Sequence, residues 1–363
     1  MRIATLQFAP RVGDVDGNIK RANELLNSGN VAGRAQAGIE SLKPDLLVLP
    51  ELALTGYNFP SLEAIRPFLE PAGMGVSAAW ARETATRLEC KVCVGYPEIE
   101  IGGVDAAAAG AECSAQPQEK YYNSLLVVDE RGEVLVNYRK TFLYFTDETW
   151  AAEGTAERGF HELVFNSCSG SGSSGGGDVL TSRVATSFGI CMDINPYKFE
   201  APFTAWEFAN RVLDSKSQLV ILSMAWTTFM SREELDALAD KPDLDTFNYW
   251  IQRFWPLVKE KMRHDADSGF DGHEAESAKK KIVIVFGNRC GEEGSVRYAG
   301  TSAIIAITQR PRVLQEGDPG GELPFDVNIL CWDMLGATTE GICFADTSAD
   351  PKMVFGLVKA SQT

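Results

Sequence analysis

The chain has 363 residues, 45% of them apolar, with 34 basic against 50 acidic side chains and a formal net charge of −16 at pH 7. That length accommodates one large α/β domain or two ordinary ones, with a core that needs no covalent staples, and the acidic balance disfavours nucleic acid or an anionic membrane as a partner. Eight dispersed cysteines, a strand-like start (M-R-I-A-T-L-Q-F) in place of a charged-then-apolar leader, and no apolar run of the roughly 18 residues that a membrane helix requires predict a reduced, soluble, cytoplasmic protein.

Residues 3–9 alternate as a strand, and residues 18–26 carry Ile19, Ala22, Leu25 and Leu26 on one helical stripe. P-D-L-L-V-L-P-E-L follows, in which residues 45–49 form a continuous apolar run between prolines, as in a strand covered on both faces. Glu51 then stands at the carboxyl end of a buried strand, where open α/β sheets place their ligands. It is either a capping group at a turn or a base in a cleft. Residues 80–88 read as a helix and 92–96 as a strand, whereas 98–120 lack periodicity and read as an Ala/Gly-rich surface insertion. Cys90 and Cys93 form a C-x-x-C, but Cys93 sits inside the strand pattern K-V-C-V-G-Y with no second pair at zinc-finger spacing, which argues against redox or zinc use. Residues 122–128 and 134–138 flank the turn signal D-E-R-G-E and predict a β-hairpin. Lys140 lies at the exit of its second strand, within N-Y-R-K-T-F-L-Y-F-T-D-E-T-W.

Residues 161–165 and 180–186 predict successive strands joined by a Ser/Gly loop, S-C-S-G-S-G-S-S-G-G-G-D, which lacks the Lys-Ser/Thr of a phosphate-cradling loop. In V-A-T-S-F-G-I-C-M-D-I-N-P-Y-K-F the run 184–190 is apolar and β-prone, Pro196 ends any strand, and 198–213 returns apolar residues at helical spacing. Cys191 therefore sits at a strand–elbow–helix junction, where backbone N–H groups and a helix N-terminus favour the thiolate over a free thiol of pKa about 8.5. A small buried hydrophobe at a strand end is the competing reading. Residues 218–224 give another buried strand with Trp226 just past its exit. From 243 to 264 apolar residues recur at helical spacing, interrupted at Pro256. Residues 281–287 and 302–308 complete the strands. Beyond Gln315, P-G-G-E-L-P and V-N-I-L-C-W-D-M suggest an arm laid over the body or a partner.

Glu51, Lys140 and Cys191 share one topological position, the exit of a predicted strand, and in an α/β layer such ends converge. A carboxylate can then take the thiol proton and later activate water, while the thiolate forms a covalent acyl intermediate. Lys140 and the backbone N–H of Met192 can stabilise the oxyanion. A Cys-His enzyme fares badly, since His161, His264 and His273 are the only histidines and the last two lie in a polar, Asp/Gly-rich region. No spacing typical of metal ligands occurs, so the expected chemistry uses no metal and no organic cofactor.

With L-V-L-P-E, Y-R-K-T-F-L and F-G-I-C-M-D in that order, the chain resembles the nitrilase (carbon–nitrogen hydrolase) superfamily from Met1 to about Thr308. The resemblance implies an αββα sandwich, a single domain over 1–363 with surface insertions, a core of about 1–308 and a C-terminal arm of about 309–363. It also implies a Glu51-Lys140-Cys191 triad and a supporting second glutamate, matched best by Glu148 and next by Glu153. G-I-C-M-D-I-N-P-Y-K-F and K-T-F-L-Y-F-T-D-E-T-W are most similar to members that deamidate N-terminal asparagine and glutamine of polypeptides and feed the N-degron pathway. The implied partners are peptides or proteins with a free N-terminal Asn or Gln, and a homo-oligomer is compatible with this. Small-molecule ω-amidase, carbamoylase and nitrilase activities are the alternatives in the superfamily, and a non-catalytic binding module is the alternative outside enzymes. Members that bind small carboxylates often carry an arginine four positions beyond the cysteine; here that position is Asn195, which cannot clamp a carboxylate. Asp193 and Asp147 are expected to hold a substrate ammonium, unless Asp193 only orders the elbow by bonding backbone N–H groups. Trp226 is expected beside the substrate.

Overall fold

Short runs of β-prone residues, apolar on both faces, assemble here into two sheets that each bury both sides. The structure, a computed structural model, describes residues 1–28, 38–102, 118–168, 179–264, 279–311 and 325–356. The Ala/Gly-rich stretch at 103–117, the Ser/Gly-rich stretch at 169–178 and the P-G-G-E-L-P segment lie outside the described residues.

In chain order the main strands are β1 Arg2–Gln7, β2 Leu46–Val48, β3 Lys91–Ile101, β4 Glu119–Val128, β5 Val134–Arg139, β6 Phe160–Cys168 and β7 Val179–Ile190. They continue with β8 Leu219–Met224, β9 Lys280–Asn288, β10 Ala303–Pro311, β11 Phe325–Met334, β12 Gly341–Asp346 and β13 Met353–Gly356. The longer helices are α1 Val15–Ser28, α2 Val76–Leu88, α3 Glu207–Asp214 and α4 Leu244–Arg253. One sheet has the order β12-β1-β2-β3-β4-β5 and the other β13-β11-β10-β9-β8-β7-β6. Each has a parallel centre, β1-β2-β3 and β7-β8-β9, flanked by antiparallel strands.

Alternation along the strands separates the layers. Ile3, Leu46, Val48, Cys93, Leu125 and Val127 point toward the second sheet and share one core with its strands. Their neighbours Ala4, Leu6, Leu47, Val92, Val94 and Leu126 point the other way and pack with α1 and α2. On the far side of the second sheet, α3 and α4 bury Phe208, Val212, Phe247 and Trp250, and the Trp250 ring stacks on Phe286 of β9 at 4.9 Å. The architecture is an αββα sandwich. The sheets approach closely enough at Gly287 that a Cβ there would lie 2.8 Å from Thr5 Oγ1 and 3.1 Å from Val48 Cγ1.

Several expectations change in detail. The expected insertion at 98–120 is strand at both ends: residues 98–101 extend β3, 119–120 open β4, and Glu98 is buried against Arg139. The helix expected over 198–213 is kept only in its second half. Residues 191–205 form successive 3-10 turns, because Pro196 and Pro202 each remove a backbone donor, and α-helix begins at Glu207. The segment expected as an arm is instead structural. β12 completes the first sheet beside β1, and β11 and β13 extend the second beyond β10. No helix among the described residues is long and apolar enough to cross a membrane.

Because 325–356 supply strands to both sheets, a chain ended after residue 324 should lose its cooperative unfolding transition. A melt followed by circular dichroism checks this; a sharp transition at the full-length temperature would mean that the C-terminal strands only decorate a self-sufficient core.

Candidate active site

The parallel strands β2, β7 and β8 all deliver their carboxyl ends to one edge of the sandwich, and β5, two antiparallel steps from β3, arrives in the same sense. Glu51 follows β2 and its backbone N–H donates to the Met224 carbonyl at the end of β8, 3.3 Å away, tying the two sheets together at this edge. The turn can dip there because β3 has Gly95 opposite, where a Cβ would meet Glu51 Cα at 2.8 Å and Leu52 N at 2.7 Å.

Lys140, the residue after β5, is fully buried and donates from Nζ to Glu51 Oε1 and Asp147 Oδ2, each at 2.6 Å. Asn123 of β4 donates its amide to the same two carboxylates, at 2.7 Å to Glu51 Oε1 and 3.0 Å to Asp147 Oδ1. Ala225 N–H meets Glu51 Oε2 at 2.8 Å. The carboxylate that meets Lys140 beside Glu51 is thus Asp147, while Glu148, expected there, is exposed on the Asp147–Thr149 turn. Burial pushes the Glu51 carboxyl up to about 6, with Asp147 adding to the shift and the Lys140 ammonium opposing it. For Lys140 burial works against the charge, but the two carboxylates outweigh it and the ammonium is held above its ordinary range.

Cys191 stands immediately after β7 at φ 40°, in the left-handed region that a non-glycine residue rarely occupies. Such strain is characteristic of sites whose surroundings over-determine the backbone. Asp193 supplies much of that determination. Its Oδ1 accepts from Thr141 N–H, Thr141 Oγ1 and Phe142 N–H, and its Oδ2 from Ile190 N–H and the Tyr138 hydroxyl, at 2.7–3.0 Å. Both oxygens face the backbone of the elbow and of the turn after Lys140, so Asp193 orders the elbow and is not an ammonium site. Asp147 is likewise saturated, by Lys140, Asn123 and Tyr144 N–H. On the other flank, buried Arg253 of α4 donates Nε to Ile194 O at 2.7 Å and Nη1 to Phe203 O. Without an α-helix N-terminus at the cysteine, burial dominates and pushes the thiol up, Glu51 adding to the shift and Lys140 opposing it.

Cys191, Met192, Asn195 and Trp226 line a pocket of about 460 Å³ together with Tyr57, Tyr144, Phe199, Thr227, Thr228, Phe229, Asp243, Asp245 and Tyr249. Asn195 is fixed there, its Oδ1 accepting from the Tyr249 hydroxyl at 2.7 Å and its Nδ2 reaching Met192 Sδ at 3.3 Å. Larger cavities between α1 and α2 and beside Met1 contain none of the clustered groups. Among the described residues no group of His, Cys, Asp or Glu is placed to hold a metal ion.

Four further residues escape a reading by strand exits. Asn123 could have been noticed as a polar residue inside a buried apolar run. Arg253 lies on the apolar stripe of α4. Tyr57 is held by its backbone N–H on Glu293, and its ring is buried beside Lys140 Nζ at 5.7 Å from the centroid. Glu293 itself, buried with Arg289 and Tyr298, carries no local signal.

The carbon–nitrogen hydrolase family model matches residues 2–195. The chain is similar to the protein N-terminal amidase of Schizosaccharomyces pombe, 29% identical over 327 residues that cover 86% of this chain and 94% of that one. It is also similar to the protein N-terminal amidase of Saccharomyces cerevisiae, 26% identical with 94% and 93% covered. Among solved structures, that of an N-terminal amidase with a Gln-Gly peptide has a TM-score of 0.66 at 25% identity, covering 95% of this chain and 96% of that one.

Asp147→Asn should lower kcat by at least about a hundredfold because it removes a charge from the Lys140 cradle, whereas Glu148→Gln should stay within about threefold of the parent. Gly95→Ala should also lower kcat by about tenfold or more by displacing the Glu51 turn, with the thermal transition largely kept. Ammonia release measures all three, and equal losses in the Asp147 and Glu148 variants would reverse the assignment.

Proposed function

The chain belongs to the carbon–nitrogen hydrolase family, and we propose that within it the protein removes ammonia from the side-chain carboxamides of N-terminal asparagine and glutamine, leaving N-terminal aspartate and glutamate. It is an amidohydrolase acting through a cysteine thioester. What carries the substrate assignment is the charge of the Cys191 pocket: its lining holds two carboxylates, Asp243 and Asp245, and no lysine, arginine or histidine. A free amino acid would bring a carboxylate with no cation to receive it, while a peptide N-terminus brings an ammonium and a neutral peptide carbonyl. Similarity to protein N-terminal amidases over nearly the whole of both chains supports the same substrate.

The steps follow from the geometry. Glu51, ionised above about pH 6, takes the Sγ proton as the sulfur attacks the carboxamide carbon. Lys140 has three N–H donors and gives two to Glu51 and Asp147, so its third, with the Met192 backbone N–H, meets the developing oxyanion. Protonated Glu51 returns its proton to the leaving nitrogen, ammonia departs, and Glu51 then activates the water that cleaves the thioester. Asn195 and Trp226 flank the substrate. Asp243, like Asp193 and Asp147, is engaged, its oxygens accepting from Thr246 N–H, Thr246 Oγ1 and Thr228 Oγ1 at the start of α4, so exposed Asp245 is the lining carboxylate available to the substrate ammonium. In the cell this activity belongs in the cytoplasm, on polypeptides exposing N-terminal Asn or Gln, as the deamidation step of an N-degron pathway.

Peptides with unblocked N-terminal Asn or Gln should release ammonia readily, N-acetylation should abolish this, and free asparagine and glutamine should be poor substrates. Efficient turnover of the acetylated peptides, or preference for free amino acids, nitriles or carbamoyl amino acids, would assign the pocket to small molecules instead. Cys191→Ala should eliminate turnover with the fold kept, and Lys140→Met should cost at least the 10²–10³ in kcat typical of a lost oxyanion donor. The profile of kcat/KM against pH should fall on the acid side with a midpoint near 6, because a carboxyl raised to about 6 is protonated, and useless as a base, below it. A flat profile down to pH 4.5 would remove Glu51 from the base role.

A further inference from the structure

Next to Tyr57 lies a second buried ionic cluster, with no part in the steps above. Glu293, in the short hairpin that follows β9, pairs there with Arg289, and both are buried. Its carboxylate faces the turn that carries the base. Oε1 and Oε2 accept from Tyr57 N–H at 3.1 and 3.2 Å, and Oε2 also accepts from Asn58 N–H at 2.8 Å and from the Tyr298 hydroxyl at 2.5 Å. The turn comes this close because residue 56 is glycine at φ 80°: a Cβ there would lie 2.8 Å from Glu293 Oε1 and 2.6 Å from Val12 Cα. Arg289 spends only Nη2 on hydrogen bonds, to Glu293 and Pro10 O, and its buried Nε and Nη1 meet no acceptor among the described residues. An ion pair so incompletely satisfied is no better for stability than apolar packing. What it supplies is a carboxylate held against two backbone donors.

Those donors fix the Tyr57 ring, which borders both the cradle and the pocket: its centre lies 5.7 Å from Lys140 Nζ, and it meets the Tyr298 ring in a T-shaped contact at 6.5 Å. We propose that Glu293 is a positioning residue for the reaction: by fixing the Tyr57 backbone it keeps that ring against the Lys140–Glu51 pair and keeps water off the base. This rests on Glu51 being the base, as proposed above, and not on which amide is the substrate. The titratable groups around Glu51 are Lys140, Asp147, Cys191, Tyr57 and Tyr298. Burial is the main influence that raises its carboxyl, with Asp147 adding and Lys140 opposing. If the ring swings away, water enters, Lys140 and Asp147 stay, and the carboxyl falls from about 6 toward the ordinary carboxylate range. The acid limb of the rate then moves to lower pH, while the rate itself drops because the base is weaker and the ammonium less well held. A role confined to stability would lower the amount of folded protein and leave the midpoint where it was.

The test is the profile of kcat/KM against pH, with a thermal melt, for the parent, Glu293→Gln, Tyr57→Leu and the variant carrying both changes. The substrate is a peptide with N-terminal Gln or, if that is not turned over, whichever small amide the parent hydrolyses. Glu293→Gln should lower kcat/KM near neutral pH by about tenfold or more and move the acid midpoint down by at least about half a pH unit. Tyr57→Leu should do the same, and the double variant should lie within about threefold of Tyr57→Leu alone, because Glu293 acts through the ring. Glu293→Gln leaves Arg289 without its partner, so Arg289→Met/Glu293→Gln, which buries no lone charge, is measured beside it and should show the same downward shift. A folded Glu293 variant with the parent's midpoint, losses that multiply in the double variant, or no cooperative melt in either Glu293 variant would each overturn the positioning role. A parent profile that is flat on the acid side would remove Glu51 from the base role, and this inference with it.

Discussion

One buried ammonium organises this edge of the molecule. Lys140 Nζ, with no exposure to solvent, holds the carboxylates of Glu51 and Asp147 at equal distance, and Asn123 bridges the same pair from below. The cation offsets the repulsion between the two carboxylates it joins, and they in turn offset the cost of burying it. Removing one member of such a cluster costs about 3–5 kcal/mol, mostly the penalty of leaving the rest uncompensated. Such a network is weak as a source of net stability and strong as a constraint on geometry. Every strand that enters this edge must end at the register that lets the four groups meet.

The cysteine is positioned by a different means. Its turn has little regular helix to hold it, and its own backbone is strained, so the fixing comes from side chains anchored elsewhere. Asp193 staples the elbow to the turn that follows Lys140, which ties the Cys191 backbone to the segment that carries the ammonium. Arg253 reaches from α4 on the outer layer to the carbonyl of Ile194 and so links the elbow to the helix that also supplies Tyr249 to the pocket wall. Cys191 therefore sits buried at a turn fixed from both flanks.

Much of this was legible before any coordinates, and the part that was not has a common cause. Apolar periodicity reports burial, so the strands around Leu47, Ile221 and Ile284 and the helices around Leu25 and Trp250 were readable, and strand exits then put Glu51, Lys140 and Cys191 at one edge. Periodicity does not report which way a polar side chain turns. In D-E, two adjacent carboxylates differ only in the direction set by a 3-10 turn, and the inward one proved to be Asp147. Asp193, read either as holding a substrate ammonium or as ordering the elbow, accepts from five backbone and hydroxyl donors, four of them on Tyr138, Thr141 and Phe142, far away in sequence. V-N-I-L-C-W-D-M carries an ordinary strand pattern, yet only its pairing with Ala303–Pro311 distinguishes a core strand from a loose arm.

The pairing of β1 with β12 sets a condition on how the protein comes into being. Arg2 lies opposite Asp346 and Gln7 opposite Gly341, so β1 is synthesised long before its outer neighbour β12. At about 5–20 residues per second, synthesis separates them by tens of seconds. Throughout that interval one edge of a buried, apolar strand has no partner in its own chain, and closing so long a loop is slow even afterwards. The first sheet is therefore closed by a pairing that spans almost the whole described chain, and β1 keeps an unpaired edge until β12 has been made.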